Sequence, residues 1–239
     1  MMNRCSFSAF SCLAYMSMPP RNAVVLLVFL AFSIVTPAPT DYAAYEEKQA
    51  SKLNNASAFM LKYIRVFDNG AFKMIMRRFA KGTAEHAYIA SPVLVIGARL
   101  GGEVRAFQEL PEVSLAIGLD VAPGEKNPYV LYGDAHQLVQ FKNHSFGSVY
   151  TNVLDHVLYI DLFAAATHRV LRPAGTLFVD LNHQSSADDS FAVHDLIAER
   201  AQIVATIKAA GFNEVHADDV RYSRGRGKGI LHTYVFRKV

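Results

Sequence analysis

The sequence predicts an α/β fold: a doubly wound, mainly parallel seven-stranded sheet with an antiparallel edge strand, preceded by N-terminal helices. Three observations carry this. Seven apolar runs of strand length recur after residue 90, helical patterns stand between many of them, and the last two runs are joined only by RYSRGRGKG (221–229). Strands alternating with helices argue for a parallel sheet covered on both faces. A link too short for a helix makes the final two strands pair antiparallel.

The first forty residues are different material. Ala23 to Val35, AVVLLVFLAFSIV, is uncharged and mostly apolar, preceded by PPR and followed by TPAPT. Crossing a bilayer takes about 20 apolar residues, whereas the core of a signal peptide takes about 7–15. Residues 1–40 therefore read as a signal peptide or a short signal anchor. On that reading the chain enters the endomembrane system or secretory pathway, with membrane association through residues 23–35. Organelle targeting is the alternative, because residues 1–22 hold Ser and Arg but no acid. A lumenal placement would make Asn55 and Asn143, each in an Asn-x-Ser triplet, glycosylation acceptors.

Residues 41–90 read as a linker and N-terminal helices. TPAPTDYAAYEEKQASKLNN (36–55) is a linker turning helical. The stretch from Ala58 to Ala80 spaces Phe, Met, Leu, Ile and Val as a helix does, with Lys62, Arg65, Lys73, Arg77 and Arg78 interleaved. Asp68-Asn69-Gly70 is expected to split it in two. Residues 91–239 form the main domain. Its strands are VLVIG (93–97), LAIGLD (115–120), YVLYGD (129–134), SVYTNV (148–153), TLFVDL (176–181), EVHADDV (214–220) and LHTYVFRKV (231–239). Its helices are EVRAFQEL (103–110), DLFAAATHRVL (161–171) and AVHDLIAERAQIVATIKAAGF (192–212).

With 239 residues, 51% apolar, the chain can bury one sizeable core. Only Arg4 and Arg21 among its 24 basic residues precede residue 41, and none of its 21 acids does, so the remainder is almost neutral. Such a balance offers nothing to nucleic acid. Both cysteines, Cys5 and Cys12, lie in the first dozen residues, which leaves the main domain no disulfide or cysteine-based metal site. His194/Asp195 and Asp188/Asp189 are isolated pairs, so no metal is expected.

The chemistry starts at VLVIGARLGGE (93–103). A strand that empties into a glycine loop lets backbone approach a ligand beside the free N–H groups of the next helix, and Gly97, Gly101 and Gly102 meet that need. Asp120 ends the following strand about 20 residues on, where an acid can accept ribose hydroxyls. Dinucleotides and S-adenosyl-L-methionine both use this arrangement. A dinucleotide fingerprint would place its middle glycine at Arg99, whose side chain obstructs a pyrophosphate. S-adenosyl-L-methionine has no phosphate to admit.

LYGDAHQL (131–138), then FGSVYTNVLDHV (146–157) and LRPAG (171–175) before TLFVDL, resemble class I S-adenosylmethionine-dependent methyltransferases of the methyltransferase type 11 family over about residues 91–182. GARLGGEVRAF, NPYVLYGD and YTNVLDHV are similar to a plant-type subgroup that often carries an N-terminal membrane segment. The resemblance implies a Rossmann-like methyltransferase fold with S-adenosyl-L-methionine as cofactor and a small-molecule or glycan methyl acceptor. It implies that Gly97 and Gly101 lie under the methionine part, with Ala98 and Arg99 in the same cofactor-binding loop. Asp120 would hold the ribose, and Asp134 with the Ala135 N–H the adenine edge. Asn152 would lie near the methyl group, and His156 takes the L-x-H position; these two are the catalytic candidates.

Each role has a structural counterpart. Asp120 and Asp134 suit strand-end turns, Asn152 suits a helix cap, and His156 suits a packing or hydrogen-bonding histidine. Asp180, His183, Arg221, Arg224, Arg226 and Lys228 are substrate contacts or solvated loop charge. The chain departs from the family pattern at Val95 and Arg99 in the loop, at Gly147 where an Asp is usual, and at Ala174 where a Gly is usual. Arg99 either reaches the cofactor carboxylate or pairs with Glu103 four residues on. These departures also admit a non-catalytic binding or scaffold protein of the same fold.

Overall fold

The computed structural model describes residues 39–54, 58–124, 127–182, 191–224 and 227–239. Two helices come first, α1 (Pro39–Asn54) and α2 (Ala58–Arg78). The alternation then runs β1 (Val93–Ile96), α3 (Gly102–Gln108), β2 (Ala116–Asp120), β3 (Val130–Tyr132), β4 (Phe146–Thr151), α4 (Ile160–Val170), β5 (Leu171–Asn182), α5 (Arg200–Ala209), β6 (Phe212–Arg224) and β7 (Gly227–Lys238).

Side chains alternate across a strand, so a strand covered on both faces reads as an unbroken apolar run. Along β1, Val93 and Val95 join one apolar cluster with Met74 and Ile75 of α2, Phe79 just after it, and Val104 and Phe107 of α3. Leu94 and Ile96 join the other, with Phe163 and Val170 of α4 and Ile203 and Ile207 of α5. The sheet order is β3-β2-β1-β4-β5-β7-β6. β1 to β5 pair in parallel, and β7 lies antiparallel between β5 and β6. This is the doubly wound, seven-stranded arrangement read from the apolar runs.

Three local expectations give way to tertiary packing. Residues 39–54 are helix throughout, where a linker turning helical is predicted. Asp68-Asn69-Gly70 does not break α2. Ile64, Ala71, Met74 and Ile75 keep an apolar stripe running through it, and the Asp68 carboxylate accepts hydrogen bonds from the Gly102 N–H at 2.6 Å and Arg105 Nη2 at 2.6 Å. An anion at the start of α3 favours that helix, so Asp68 is used in tertiary structure instead of a turn. The long helix predicted over 192–212 begins only at Arg200. Asp195 Oδ1 takes the N–H groups of Ile197 and Ala198 at 2.9 and 3.2 Å, a side-chain competition that replaces helix by turn.

The expected endomembrane or single-pass placement is corrected here. Among the described residues no helix is long and apolar enough to cross a membrane. The segment 23–35 that motivated it lies outside those residues, as do His183, Asp188, Asp189 and the side chains of Arg224, Arg226 and Lys228.

Asp180 is 1% exposed and is no substrate contact. It accepts hydrogen bonds from Arg78 Nη1 and, at 2.6 Å, from the Tyr150 hydroxyl, while Arg78 also forks onto both oxygens of Glu85. The network ties α2 to β4 and β5. Burial works against the Arg78 cation, but its two carboxylates outweigh burial and hold its pKa well above the ordinary value. Burial and the Asp180 charge likewise push the Tyr150 phenol well up, so it stays a donor.

Two family departures have backbone explanations. A Cβ on Gly147 would stand 2.6 Å from the Ala90 carbonyl oxygen, which leaves no room for an aspartate. Residues 172–175 bulge from β5, whose pairing with β4 jumps from Phe146↔Leu171 to Ser148↔Thr176. Ala174 sits in that bulge at φ 58°, a left-handed conformation that suits glycine.

Two outcomes follow for urea unfolding. Arg78→Met leaves Glu85 and Asp180 buried without their cation and is expected to cost about 3–5 kcal/mol. Ala174→Gly relieves the left-handed penalty, offset partly by chain entropy, and is expected to stabilise by about 0.5 kcal/mol.

Candidate functional site

The strand order reverses between β1 and β4, so the loops leaving the C-terminal ends of these strands diverge and open a crevice. A cleft lies there, walled by Gly97 and Arg99 after β1, Asp120, Val121 and Ala122 at the end of β2, Gly133 and Ala135 after β3, and Val153, His156 and Val157 after β4. Tyr45 and Gln49 of α1 supply a further wall.

The glycine loop is built of left-handed turns. Gly97, Arg99 and Gly101 have φ of 80°, 39° and 82°. A Cβ on Gly97 would meet Val153 Cγ2 at 2.4 Å, and one on Gly101 would meet Asn127 Nδ2 at 2.0 Å. Both positions therefore favour glycine for conformation, and at Gly97 the packed Val153 leaves little room besides. Arg99 holds the backbone conformation that a glycine would adopt there, at a cost of about 1 kcal/mol. It precedes the N-cap Gly101 rather than sharing a face of α3 with Glu103, so the i,i+4 pairing expected from sequence lacks its helix. The Ala98 side chain packs into the core behind the loop, 2% exposed.

Asp120 fixes the loop from below. Its Oδ2 accepts the Arg99 N–H at 2.9 Å and its Oδ1 the Ala122 N–H at 2.8 Å. Two oxygens with one bond each keep lone pairs for further donors.

Asp134 is more heavily engaged. Oδ1 accepts the His136 N–H at 2.9 Å and faces His136 Nδ1 at 2.7 Å, and Oδ2 accepts the Tyr42 hydroxyl. His136 Nε2 accepts the Tyr159 N–H at 3.1 Å, which puts the imidazole proton on Nδ1, toward Asp134. Burial tends to raise the Asp134 pKa, but these hydrogen bonds outweigh it and hold the carboxyl below its ordinary value. Burial, with the Asp134 charge, pushes both the Tyr42 and Tyr45 phenols far up, so both remain donors.

The two catalytic candidates part company. His156 lines the cleft, with Nε2 3.6 Å from Asp155 Oδ2. Asn152 directs Nδ2 to Glu103 Oε1 at 3.2 Å, bridging the end of β4 to α3. His194 Nδ1 meets Glu199 Oε2 at 2.7 Å.

Tyr42, Tyr45, Gln49, His136 and Tyr159 are functional-site residues that sequence reasoning missed. The signal was present: Tyr42, Tyr45 and Gln49 recur at i, i+3 and i+7, one face of a helix, inside a stretch read as a linker turning helical. The rings of Tyr42, Tyr45, His136 and Tyr159 gather in one cluster, of which Tyr45 lines the cleft. Tyr42 stacks on Tyr159 with centroids 6.2 Å apart, and Tyr42 and Tyr45 each meet His136 edge-on, at 5.3 and 5.6 Å.

Comparison with known proteins agrees with this geometry. Residues 95–179 match a family profile described as a methyltransferase domain. Among solved structures, the 1,6-didemethyltoxoflavin-N1-methyltransferase of Burkholderia thailandensis, bound to 1,6-didemethyltoxoflavin and S-adenosylhomocysteine, is 17% identical. It aligns with 89% of this chain and 98% of its own at a TM-score of 0.59. The trans-methyltransferase CalH, in complex with S-adenosylhomocysteine, is also 17% identical, over 77% of this chain and 60% of its own, with a TM-score of 0.53. No curated protein sequence matches the chain. The chain thus has the Rossmann-like fold of these methyltransferase structures, and its residues 95–179 match a methyltransferase domain.

Because the folded pKa of Asp134 is depressed, its stabilisation is complete above the ordinary carboxylate value of about 4 and is lost as pH falls through the lower folded value. Thermal melts from about pH 6 to about pH 3 are expected to fall less steeply in Asp134→Asn than in the unaltered chain.

Proposed function

We propose that the protein is an S-adenosyl-L-methionine-dependent methyltransferase whose acceptor is a small molecule or a glycan. The observation that carries the reading is Asp120. It ends β2 on the cleft, anchors the glycine loop through the Arg99 N–H, and retains lone pairs that suit two ribose hydroxyls. The left-handed turn at Gly97 supports it, since it brings bare backbone to the cleft wall.

When bound, the cofactor supplies a methyl group already activated by the sulfonium charge. The chain's own work is then to align the acceptor and exclude water, and proximity carries most of the rate. We assign to Arg99, a lining residue of the cleft, the carboxylate of the methionine part. Asp120 holds the ribose, and Ala135, on the wall next to Asp134, offers its N–H to the adenine edge. Val153 and Val157 make an apolar wall on either side of His156. His156 accepts a proton where the acceptor is a hydroxyl, with the Asp155 carboxylate nearby to stabilise the imidazolium. Asn152 acts through Glu103 to hold the end of β4 against α3. The division into N-terminal helices and a methyltransferase domain over 91–239, and the likeness to the plant-type subgroup, belong to this reading.

Calorimetry with S-adenosylhomocysteine tests it. Micromolar binding by the unaltered chain is expected, weakened at least about tenfold, or about 1.4 kcal/mol, in Asp120→Ala. No binding by the unaltered chain would sink the reading.

A further inference from the structure

α1 closes one side of the cleft without joining the core. None of its described side chains belongs to either apolar cluster. Among the described residues it is held instead by side-chain hydrogen bonds: the Tyr42 hydroxyl to Asp134 Oδ2 and, at 2.8 Å, with His136 Nδ1, the Tyr45 hydroxyl to the His156 carbonyl oxygen at 2.6 Å, and Gln49 Nε2 to the Phe191 carbonyl oxygen at 2.8 Å. Ring contacts with His136 and Tyr159 add to these. An element with few buried apolar contacts opens at lower free energy than the sheet it covers. Two of its residues, Tyr45 and Gln49, are also cleft wall. A third, Tyr42, bonds the carboxylate that directly precedes the lining residue Ala135.

We propose that α1 is a removable wall of the cofactor cleft, with Tyr42 as the latch that sets how fast an adenosine-containing ligand enters and leaves. This rests on the reading of the cleft as a cofactor site. Tyr42 is a positioning residue: its hydroxyl acts on Asp134 and on the docking of α1. The latch is closed in the structure and stays compatible with a bound ligand, because Asp134 accepts three donors and a carboxylate has about four acceptor positions. Breaking it therefore changes access in both directions and leaves the equilibrium almost untouched, since the same bond is lost from both states.

Stopped-flow kinetics of S-adenosylhomocysteine with the full chain test this. Tyr42→Phe removes the hydroxyl and keeps the ring stacked on Tyr159. Loss of a hydrogen bond to a carboxylate is expected to raise the association and dissociation rates together, about five- to tenfold, with Kd changed less than about twofold. A rise in the dissociation rate alone would make Tyr42 an ordinary ligand contact and overturn the proposal, and so would unchanged rates. Hydrogen exchange on the unaltered chain supplies a second measurement that needs no variant. S-adenosylhomocysteine is expected to slow exchange over 39–54 more than in β1 and β4, and equal slowing would also overturn it. If the unaltered chain does not bind S-adenosylhomocysteine, the cofactor reading falls and takes this inference with it. Binding with unaltered rates removes the latch alone.

Discussion

The reversal of strand order between β1 and β4 is the constraint on which the rest depends. The chain runs outward from β1 to β2 and β3, then returns to lay β4 on the other side of β1. Helices cover both faces of the sheet, so every loop leaving a C-terminal strand end must turn one way or the other. At the reversal, neighbouring loops turn apart. The cleft residues after β1, β2, β3 and β4 are assembled by that single topological fact, although they stand 60 residues apart at the extremes, Gly97 to Val157. The buried Arg78 network performs a matching service on the opposite side of β4 and β5, clamping α2 down so that the α2–α3 layer can support the glycine loop.

Two aspartates at the cleft show how similar sequence positions acquire different work. Asp120 and Asp134 each end or follow a strand, and each accepts a backbone N–H from two residues downstream or nearby. Asp120 spends its oxygens on the loop backbone and keeps room for a ligand. Asp134 is already met by a phenol and by an imidazole whose tautomer is fixed by the Tyr159 N–H. Its charge therefore serves the docking of α1 as well as the adjoining wall. The difference arises from residues 92 and 2 positions away in sequence, Tyr42 and His136.

What sequence reasoning could reach, and what it could not, follows from the range of the interactions. The strands were legible because burial on both faces leaves unbroken apolar runs such as VLVI and AIGL. Asp120 was legible because its position relative to the loop is set by one strand–helix–strand unit. α1 was only partly so: its apolar content is low and it enters no core cluster, so it read as a linker turning helical, and only the i, i+3, i+7 spacing of Tyr42, Tyr45 and Gln49 could have disclosed a face. The continuity of α2 through Asp68-Asn69-Gly70 depends on Gly102 and Arg105, more than 30 residues on. The withdrawal of Asp180 from the substrate side depends on Arg78, about 100 residues upstream. Local pattern carries no information about either partner.

The departures from the family pattern divide along the same line. At Gly147 and Ala174 the substitutions concern space and backbone conformation far from the cleft: the Ala90 carbonyl fills the place an aspartate would need, and the bulge of β5 tolerates alanine in a glycine conformation. Neither reaches the chemistry. Arg99 is different because it combines a glycine's backbone with a cation's side chain. Its φ of 39° preserves the turn and lets its N–H meet Asp120, so the loop keeps its shape. Arg99 lines the cleft, and a guanidinium carried there would obstruct a pyrophosphate and offer a lone carboxylate a bidentate donor. The residue that most weakens a dinucleotide reading of the loop is, by the same geometry, the one that best suits a ligand ending in an amino acid.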